Sequence, residues 1–342
     1  MKRAGHLLDH VLAWDNLREG AARALRGKRD RAEARRFAGD LDARLASIRD
    51  ELAAGTYVFG CCRQFVVHDP KRRTITAPDF PERVIHHALM NVCEPLFDRW
   101  LIDDTYACRV GRGRIAALLR ARHFAVHFGY YLKLDIRKYF ESIPHQELLG
   151  RLERLFKDPR LLRLFEQVVT SFRGALGRGL PIGSLTSQQF ANFYLGWFDR
   201  EVKEHWRVKG YVRYMDDMVL WADSAGRLRD LRGRATAYLR DELQLTVKPQ
   251  PYLNRSRHGL DFLGCRVYAD RLTLNRRSRF RFRRKLAALE AMGRRGRITE
   301  EDLQQRGTAL VAFARAADVN SFQFRQGVLQ QIAVSGHKAR TG

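Results

Sequence analysis

Two adjacent carboxylates, Asp216 and Asp217, stand between two largely apolar segments, 211–215 and 218–221. Apolar arms on both sides of a short polar pair are typical of a β-hairpin, so the pair is expected at its tip. Neighbouring carboxylates repel each other, and a bound divalent cation would offset that repulsion. Asp is also an ordinary turn residue, so an Asp-Asp turn alone says little about function.

A third carboxylate, Asp135, ends the largely apolar segment 130–134. If that segment forms a strand beside the hairpin, Asp135 and Asp216 would together bind two Mg²⁺ ions. Mg²⁺ prefers hard oxygen ligands and keeps coordination positions open for substrate phosphates. Two such ions, about 3.5–4 Å apart, stabilise the attacking and leaving oxygens of in-line phosphoryl transfer. The three carboxylates therefore predict metal-dependent phosphoryl transfer.

The elements that must position these carboxylates follow from the spacing of apolar residues. Helical spacing predicts helices over residues 7–53, 82–100, 187–205 and 227–242, several short helices up to 172, and helix from about 275 onward. Alternating and β-rich segments predict strands over 56–78, 130–136, 211–222 and 244–268, with a hairpin loop at 69–73. Strands that alternate irregularly with helices favour the α+β class, with an antiparallel sheet carrying the carboxylates.

The composition is that of a basic globular protein. The 342 residues include 63 Lys+Arg against 38 Asp+Glu, a formal net charge of +25, and 45% are hydrophobic, which excludes a disordered chain. At about 100–200 residues per domain, this length allows two or three domains. No apolar run approaches the roughly 18 residues that a membrane-spanning helix needs. So large a positive charge indicates a polyanionic partner, and nucleic acid is the natural one.

The five cysteines, at positions 61, 62, 93, 108 and 265, contain no C-x-x-C pair. An odd, scattered set in a chain of this size is interpreted as reduced thiols of a cytosolic protein, without a disulfide framework or a zinc site. The N-terminal residues lack the apolar core of a signal peptide. The sequence therefore predicts a cytoplasmic protein with no membrane partner.

Three motifs in a fixed order resemble those of reverse transcriptases. They are Asp135-x₄-Phe140, the LPIGSLTSQ segment at 180–188, and Tyr214-Met215-Asp216-Asp217. The resemblance implies an RNA-directed DNA polymerase, a nucleotidyltransferase, with an α+β right-hand polymerase fold. The domains that it implies are an N-terminal helical extension (1–55), fingers (56–130, with part of 141–185), a palm of antiparallel sheet plus helices (131–268), and a basic helical thumb with the C-terminal tail (269–342).

The resemblance also assigns roles to single residues. Asp135, Asp216 and Asp217 would be the catalytic carboxylates, binding two Mg²⁺ ions together with the backbone carbonyl of Ile136, and Mn²⁺ is a substitute for Mg²⁺. Phe140 falls where this family places its steric gate against a ribose 2′-hydroxyl; the alternative is an ordinary core Phe. The dNTP-binding residues that the resemblance implies are Lys71, Arg73, Phe140, Ile182, Gln188 and Lys248. The segment 260–264 would hold the primer end.

The segment 179–192 resembles a particular group of reverse transcriptases. Ile182 stands where retroviral and group II intron enzymes have Gln, and Gly183-x₃-Ser187-Gln188 follows it. This form resembles the enzymes of diversity-generating retroelements, which copy a template-repeat RNA with errors at adenines. An aliphatic side chain lacks the two donors and the acceptor of Gln. We expect a pocket with fewer hydrogen bonds to discriminate less, unless Ile182 is only a packing residue.

Two further expectations concern helices. Thr186 is expected to cap the helix that follows it, with Gln189 as its capping-box partner. Residues 276–297 carry ten Lys/Arg against one acid, Glu290. Such a segment is expected to grip a primer–template duplex through its phosphates. The nucleic-acid-binding residues predicted there are Arg277, Arg279, Arg281, Arg283 and Arg284.

Several other functions stay open at this point. The chain would also suit a retron, a group II intron or a phage-defence system, or a non-catalytic RNA-binding scaffold on the same fold. An RNA-templated RNA polymerase is disfavoured by Phe140. The resemblance implies a bacterial or phage-encoded protein that works with template RNA, primer, cDNA and dNTPs. It further implies a small basic accessory variability protein, which can itself be oligomeric.

Overall fold

The computed structural model describes residues 3–68, 72–172 and 177–317. Contacts divide the chain into two units: the first comprises residues 1–109, 135–206 and 234–249, and the second 110–134, 207–233 and 250–342. This division differs from the four predicted domains, whose bounds stay a prediction. Among the described helices, none combines the length and the apolar character that crossing a membrane requires.

Helices account for most of the described chain. In chain order they are α1 (Leu8–Leu12), α2 (Trp14–Leu25), α3 (Ala32–Ala38), α4 (Leu41–Ala54), α5 (Phe80–Trp100), α6 (Gly113–His127), α7 (Tyr139–Ser142), α8 (His145–Glu153), α9 (Pro159–Thr170), α10 (Leu185–Arg200), α11 (Ala225–Asp241), α12 (Arg276–Arg294) and α13 (Glu300–Ala317). A π-helical turn, Glu201–His205, extends α10, and a 3₁₀ turn forms at Ser256–His258.

The described strands form three sheets. They are β1 (Cys62–His68), β2 (Arg72–Pro78), β3 (Tyr130–Asp135), β4 (Gly210–Tyr214), β5 (Asp217–Ala222), β6 (Tyr252–Arg255), β7 (Leu260–Phe262), β8 (Cys265–Val267) and β9 (Leu272–Leu274). The orders are β1-β2, β4-β5-β3-β6 and β7-β8-β9. The mixture of helix and sheet agrees with the predicted α+β class.

The core of the first unit is built around α5. Asp79 starts this helix by accepting the Glu82 main-chain N–H at 3.0 Å, and a proline in the first turn favours the same start. The helix packs against α2 and α10. Its Phe97 ring meets the rings of Phe156 and Phe193 at centroid distances of 5.3 and 5.2 Å. Phe97 thus packs α5 against α10 through Phe193.

The second unit carries the four-stranded sheet. β4 and β5 pair in antiparallel register from Gly210 opposite Trp221 to Tyr214 opposite Asp217. α6 packs on this hairpin and on β8, where Phe124 meets Trp221 at 5.4 Å. Almost every residue of β4 and β5 is buried, so side chains on both faces of the hairpin are covered by protein.

Some expectations about elements were wrong. Thr186 does not cap α10: the N-cap residue is Ser184, and no side chain caps the helix. Gln189 instead donates to the carbonyl of Cys108 at 3.1 Å. Of the short strands predicted over 244–268, the part before β6 is reduced to one bridge, between Ile136 and Val247, and α6 has no counterpart among the predicted helices.

Candidate active site

The turn that carries Asp216 is held from inside the protein. Met215 adopts φ 56°, a left-handed conformation that favours glycine and is uncommon for a bulky residue. The fully buried Arg213 donates from Nη1 to the Met215 carbonyl at 3.0 Å. Asp216 and Asp217 are both half-buried. The predicted hairpin is therefore confirmed, with Asp216 in its two-residue turn and Asp217 at the start of β5.

A lysine that the sequence reasoning missed contacts Asp217. Lys133 Nζ lies 3.1 Å from Asp217 Oδ1 and donates to the carbonyl of Asp261 on β7 at 3.1 Å. Lys133 stands two residues before Asp135 on β3, and residues at this spacing share one face of a strand. This spacing in the sequence could have identified Lys133 as a neighbour of the carboxylates. The ammonium group compensates one charge of the acidic turn.

Asp135, the last residue of β3, has one occupied and one open carboxylate oxygen. Its Oδ2 forms an ion pair with Lys248 Nζ, and its carbonyl accepts the Lys248 N–H at 2.9 Å. Its Oδ1 is buried and has no hydrogen-bond partner among the residues that the structure describes. A buried carboxylate oxygen without a partner is costly. A divalent cation with hard oxygen ligands is the kind of ligand that would satisfy it.

The Ile136 carbonyl is also open on the strand side. Ile136 and Val247 face each other in an antiparallel bridge, and the flanking bonds run from Arg137 N to Thr246 O and from Lys248 N to Asp135 O. In this geometry the central pair exchanges no hydrogen bonds of its own. Val247 therefore does not occupy the carbonyl that the resemblance assigns to a metal ion.

Sheet order brings the strands of the carboxylates side by side. β3, which ends at Asp135, lies next to β5, which begins at Asp217. Within the described part of the chain, no three His, Cys, Asp or Glu side chains form a metal-binding group by themselves. The shared metal site of Asp135, Asp216 and Asp217 therefore stays a prediction.

Two of the predicted nucleotide-binding residues, Phe140 and Ile182, accept main-chain hydrogen bonds within the first unit. The Phe140 carbonyl accepts the Leu180 N–H at 2.8 Å, and the Ile182 carbonyl accepts the Thr76 N–H at 2.8 Å. Gly183 has φ 123°, and a Cβ there would stand 2.7 Å from Ile75 Cγ2. Only glycine fits that position, so the Ile182 loop is fixed against β2.

The remaining predicted nucleotide-binding residues are Lys71, Arg73, Gln188 and Lys248. Arg73 is exposed on β2, and Lys71 lies outside the described residues. Gln188 accepts a hydrogen bond from the Cys108 thiol at 3.6 Å. Lys248 forms an ion pair with Asp135. A role of these four residues in nucleotide binding stays a prediction.

The predicted basic cluster lies on α12, which starts where Asn275 Oδ1 accepts the Ser278 N–H at 2.8 Å. Four of its arginines are exposed and the fifth, Arg281, is half-buried; the four are Arg277, Arg279, Arg283 and Arg284. The helix packs against α13. The guanidinium groups line an accessible helix, as duplex binding would require.

Two titratable side chains, Glu82 and His86, are buried one turn apart on α5. Burial, with the neighbouring His87 and Arg83, lowers the pKa of His86 to about 3. Burial raises the pKa of Glu82 to about 7. His86 Nδ1 shares a hydrogen bond with Ser184 Oγ at 3.1 Å, and Glu82 Oε2 accepts the Gly60 N–H at 2.9 Å. The imidazole is therefore neutral at neutral pH.

The variant His86→Gln is expected to lose less stability in acid than the parent chain. The folded-state pKa of His86 lies below its unfolded value of about 6.5, so its contribution is complete above pH 6.5 and is lost as the pH falls toward 3. Glu82 acts in the opposite sense, because its raised pKa makes protonation stabilising from pH 7 down to about 4.5. Between pH 6.5 and 4.5 these two contributions nearly cancel in the parent chain, so the free energy of urea unfolding of His86→Gln should rise relative to that of the parent, by up to about 1.4 kcal/mol for each pH unit of acidification.

The complementary variant Glu82→Gln should show a steeper acid loss than the parent chain, because it removes the compensating group. Urea unfolding at a series of pH values measures all three proteins. Parallel curves for parent and His86→Gln would contradict the buried neutral imidazole.

Known proteins resemble this chain in sequence. A family model described as reverse transcriptase (RNA-dependent DNA polymerase) matches residues 68–267. The chain is 24% identical over 285 residues to Protein YkfC of Escherichia coli (strain K12), covering 68% of this chain and 74% of that protein. It is 23% identical over 175 residues to the group II intron-encoded protein LtrA of Lactococcus lactis subsp. cremoris, covering 48% of this chain and 29% of that protein.

Solved structures resemble it in fold. A truncated apo telomerase of Candida tropicalis gives a TM-score of 0.50 at 12% identity, covering 64% of this chain and 55% of that one. The telomerase of the same organism with a fragment of telomeric RNA gives 0.50 at 9% identity, covering 78% and 54%. The chain thus spans about half the length of these polymerases, and the predicted reverse transcriptase fold is confirmed. Since the family match covers more than half of the chain, the chain belongs to the reverse transcriptase family, the RNA-directed DNA polymerases.

Proposed function

We propose that this RNA-directed DNA polymerase makes error-prone cDNA, mutated at adenines, from the template-repeat RNA of a diversity-generating retroelement. The observation that carries the proposal is Ile182, an aliphatic residue in a loop fixed between β2 and α10. The Ile182 carbonyl is bonded to Thr76 N at 2.8 Å, and Gly183 packs against Ile75. Because the loop backbone is fixed, we expect that no other side chain of the loop moves in to supply the polar contacts that Ile182 lacks.

We propose that Asp135, Asp216, Asp217 and the Ile136 carbonyl hold the catalytic metal ions, two Mg²⁺ that Mn²⁺ can replace. The open Oδ1 of Asp135 and the Ile136 carbonyl that Val247 leaves unpaired supply hard oxygens, as Mg²⁺ requires. When bound, Mg²⁺ supplies positive charge to the attacking and leaving oxygens of phosphoryl transfer. Substrate phosphates would complete the ligand set.

The remaining side chains have positioning roles in this proposal. Lys133 and Lys248 each balance one carboxylate, by the contacts with Asp217 and Asp135. Arg213 fixes the turn before Asp216 through the Met215 carbonyl. Buried or partly buried cations of this kind limit the repulsion among acids before substrate binds.

The partners follow from the resemblance and from the charge of the chain. We propose template RNA, primer, cDNA and dNTPs as its ligands, a small basic accessory variability protein as its partner, and the bacterial cytoplasm as its location. The basic surface of α12 suits the phosphates of a primer–template duplex. Exposed arginines on one helix give affinity without reading sequence.

A group II intron function is the second candidate, because intron proteins are among the relatives. They include the mitochondrial nuclear intron maturase 4 of Arabidopsis thaliana. The two chains are 29% identical over 163 residues, which cover 45% of this chain and 20% of the maturase. Ile182 is the feature that argues for the retroelement instead, since the group II intron enzymes have Gln at this position. The error spectrum separates the two candidates.

The variant Ile182→Gln is expected to lower misincorporation opposite template adenine more than opposite the other bases. A restored amide supplies polar contacts that reward correct geometry, and one hydrogen bond contributes about 0.5–1.5 kcal/mol. Since about 1.4 kcal/mol is a tenfold ratio, the change should be a few-fold to about tenfold. Sequencing cDNA made from one RNA measures it.

The matched control is Ile182→Leu, which keeps an aliphatic side chain and should keep the adenine errors. Overall extension should survive in both variants, because neither changes a carboxylate of the proposed metal site. An adenine error rate equal in all three proteins would reduce Ile182 to a packing residue.

A further inference from the structure

The turn between β7 and β8 has an uncommon backbone conformation. Phe262 pairs with Cys265 across the two strands, so only Leu263 and Gly264 form the turn. Their φ angles are 48° and 79°. Positive φ at both positions suits a two-residue hairpin turn, but a leucine rarely adopts it. Such a conformation persists only where the surrounding structure holds it in place.

Arg114 on α6 holds this turn. Its guanidinium group donates from Nε to the Leu263 carbonyl at 2.8 Å and from Nη2 to the same oxygen. A Cβ at Gly264 would stand 2.5 Å from Arg114 Nη2 and 2.6 Å from Ser278 Oγ, so the turn is packed closely between α6 and α12. The planar fork of an arginine fixes the direction of both donors. One half-buried guanidinium group therefore fixes the position of the turn.

The same hairpin contacts the proposed metal site. Lys133 Nζ lies 3.1 Å from Asp217 Oδ1 and donates to the Asp261 carbonyl at 3.1 Å. Asp261 stands two residues before Leu263, and all of these residues belong to the second unit. One lysine side chain thus joins β7 to the acidic turn at the start of β5.

The turn is also joined to the start of the basic helix α12. Asn275 N donates to the Gly264 carbonyl at 3.1 Å, and Asn275 Nδ2 donates to Asp261 Oδ1 at 2.9 Å. Asn275 Oδ1 at the same time caps α12. A duplex strand that lies along the exposed arginines of α12 and ends at Asp217 must therefore pass the turn between β7 and β8. In a polymerase, the strand that ends at the metal site is the primer.

We propose that Arg114 is a positioning residue for the 3′ end of the primer, and that it acts through the Leu263–Gly264 turn. The inference rests on the proposed metal site and on the proposed binding of the duplex by α12. In-line attack requires a narrow range of distance and direction for the 3′-hydroxyl, and a misplacement of about 1 Å can cost about 100-fold in rate. Without the guanidinium group, Leu263 is free to leave its positive φ, and the turn no longer holds one position.

The experiment compares the extension of two primers on one RNA template. One primer ends in a matched dC and the other in a mismatched dA, opposite the same guanosine. In Arg114→Ala, the ratio of kcat/KM for the matched end to that for the mismatched end should fall by about tenfold or more. The matched end loses its alignment, whereas the mismatched end is already displaced. A purely structural role would lower both rates alike and leave the ratio unchanged.

The matched control is Arg122→Ala, on the same helix. Arg122 makes the same kind of contact, from Nε to the Ala269 carbonyl at 3.3 Å and from Nη2 to the Asp270 carbonyl at 3.0 Å, but to the loop between β8 and β9. This variant should lower the melting temperature as Arg114→Ala does and should keep the ratio. Affinity for the primer–template, measured by fluorescence anisotropy, should stay unchanged in both variants, because the arginines of α12 supply it.

Arg114→Lys keeps the positive charge but loses the fork, so its ratio should fall less than that of Arg114→Ala. An unchanged ratio in Arg114→Ala, or in Arg114→Lys where the alanine variant does not fold, would overturn the proposal. So would an equal fall in Arg122→Ala, or a loss of primer–template affinity with the ratio unchanged. Both primers end opposite guanosine, so the result does not depend on the adenine errors that test the proposed function. A wrong metal assignment would be detected in Asp216→Asn, which leaves Arg114 in place.

Discussion

Replacing Asp216 by Asn is expected to abolish primer extension and to leave the fold intact. The amide keeps the shape of the side chain, so the turn between β4 and β5 should persist on its Arg213 anchor. It removes the negative charge with which we propose that this residue holds a catalytic metal ion. Extension of a labelled DNA primer on an RNA template with Mg²⁺ measures the loss, and thermal unfolding monitors the fold.

The control for this experiment is Asp223→Asn, which changes an exposed carboxylate just after β5 and should extend primers normally. Asp135→Asn should behave like Asp216→Asn, since its open Oδ1 is the second proposed ligand. Its main-chain bond to Lys248 is unaffected by the substitution. Extension by either variant at a near-normal rate would overturn the two-metal assignment.

The parts of the site that could be predicted are those fixed by local pattern. The hairpin around Asp216 follows from apolar arms with a polar tip, and β3 follows from the apolar segment that precedes Asp135. Both predictions depend only on residues that are neighbours in sequence, because side chains along a strand point alternately to its two faces. The structure extends the hairpin to Gly210–Ala222 and ends β3 at Asp135, within a residue of each expectation.

The parts that could not be predicted depend on residues far apart in the chain. Lys248 reaches Asp135 across 113 positions, and no local pattern announces which lysine will neutralise which acid. The prediction that Thr186 caps α10 was wrong because the helix already begins at Leu185, so Thr186 lies inside it. The Thr186 hydroxyl instead shares a hydrogen bond with Ser184 Oγ at 2.8 Å, and Ser184 Oγ also meets His86 from another helix. Thr186 and Gln189 satisfy the capping rule in sequence, but their partners in the structure are different.

The variant Phe140→Ala is expected to admit ribonucleotides. If Phe140 is the steric gate, its ring excludes the 2′-hydroxyl by contact, and rejection of one extra group in an apolar pocket is worth about 10- to 200-fold. The main-chain bond from Leu180 N to the Phe140 carbonyl, 2.8 Å long, does not depend on the side chain, so α7 should stay joined to the loop. Discrimination should therefore fall by about tenfold or more, with little loss of dNTP incorporation.

The decisive quantity is the ratio of kcat/KM for a dNTP to that for the rNTP with the same base. Phe140→Tyr is the control, because it keeps the ring and should keep the ratio. The half-buried position of Phe140 also allows a purely structural role, in which the ring packs against Tyr139 at 5.8 Å. That role predicts a lower melting temperature with an unchanged ratio, whereas a gate predicts a changed ratio whatever happens to stability. The ratio alone therefore decides whether Phe140 selects the sugar of the incoming nucleotide.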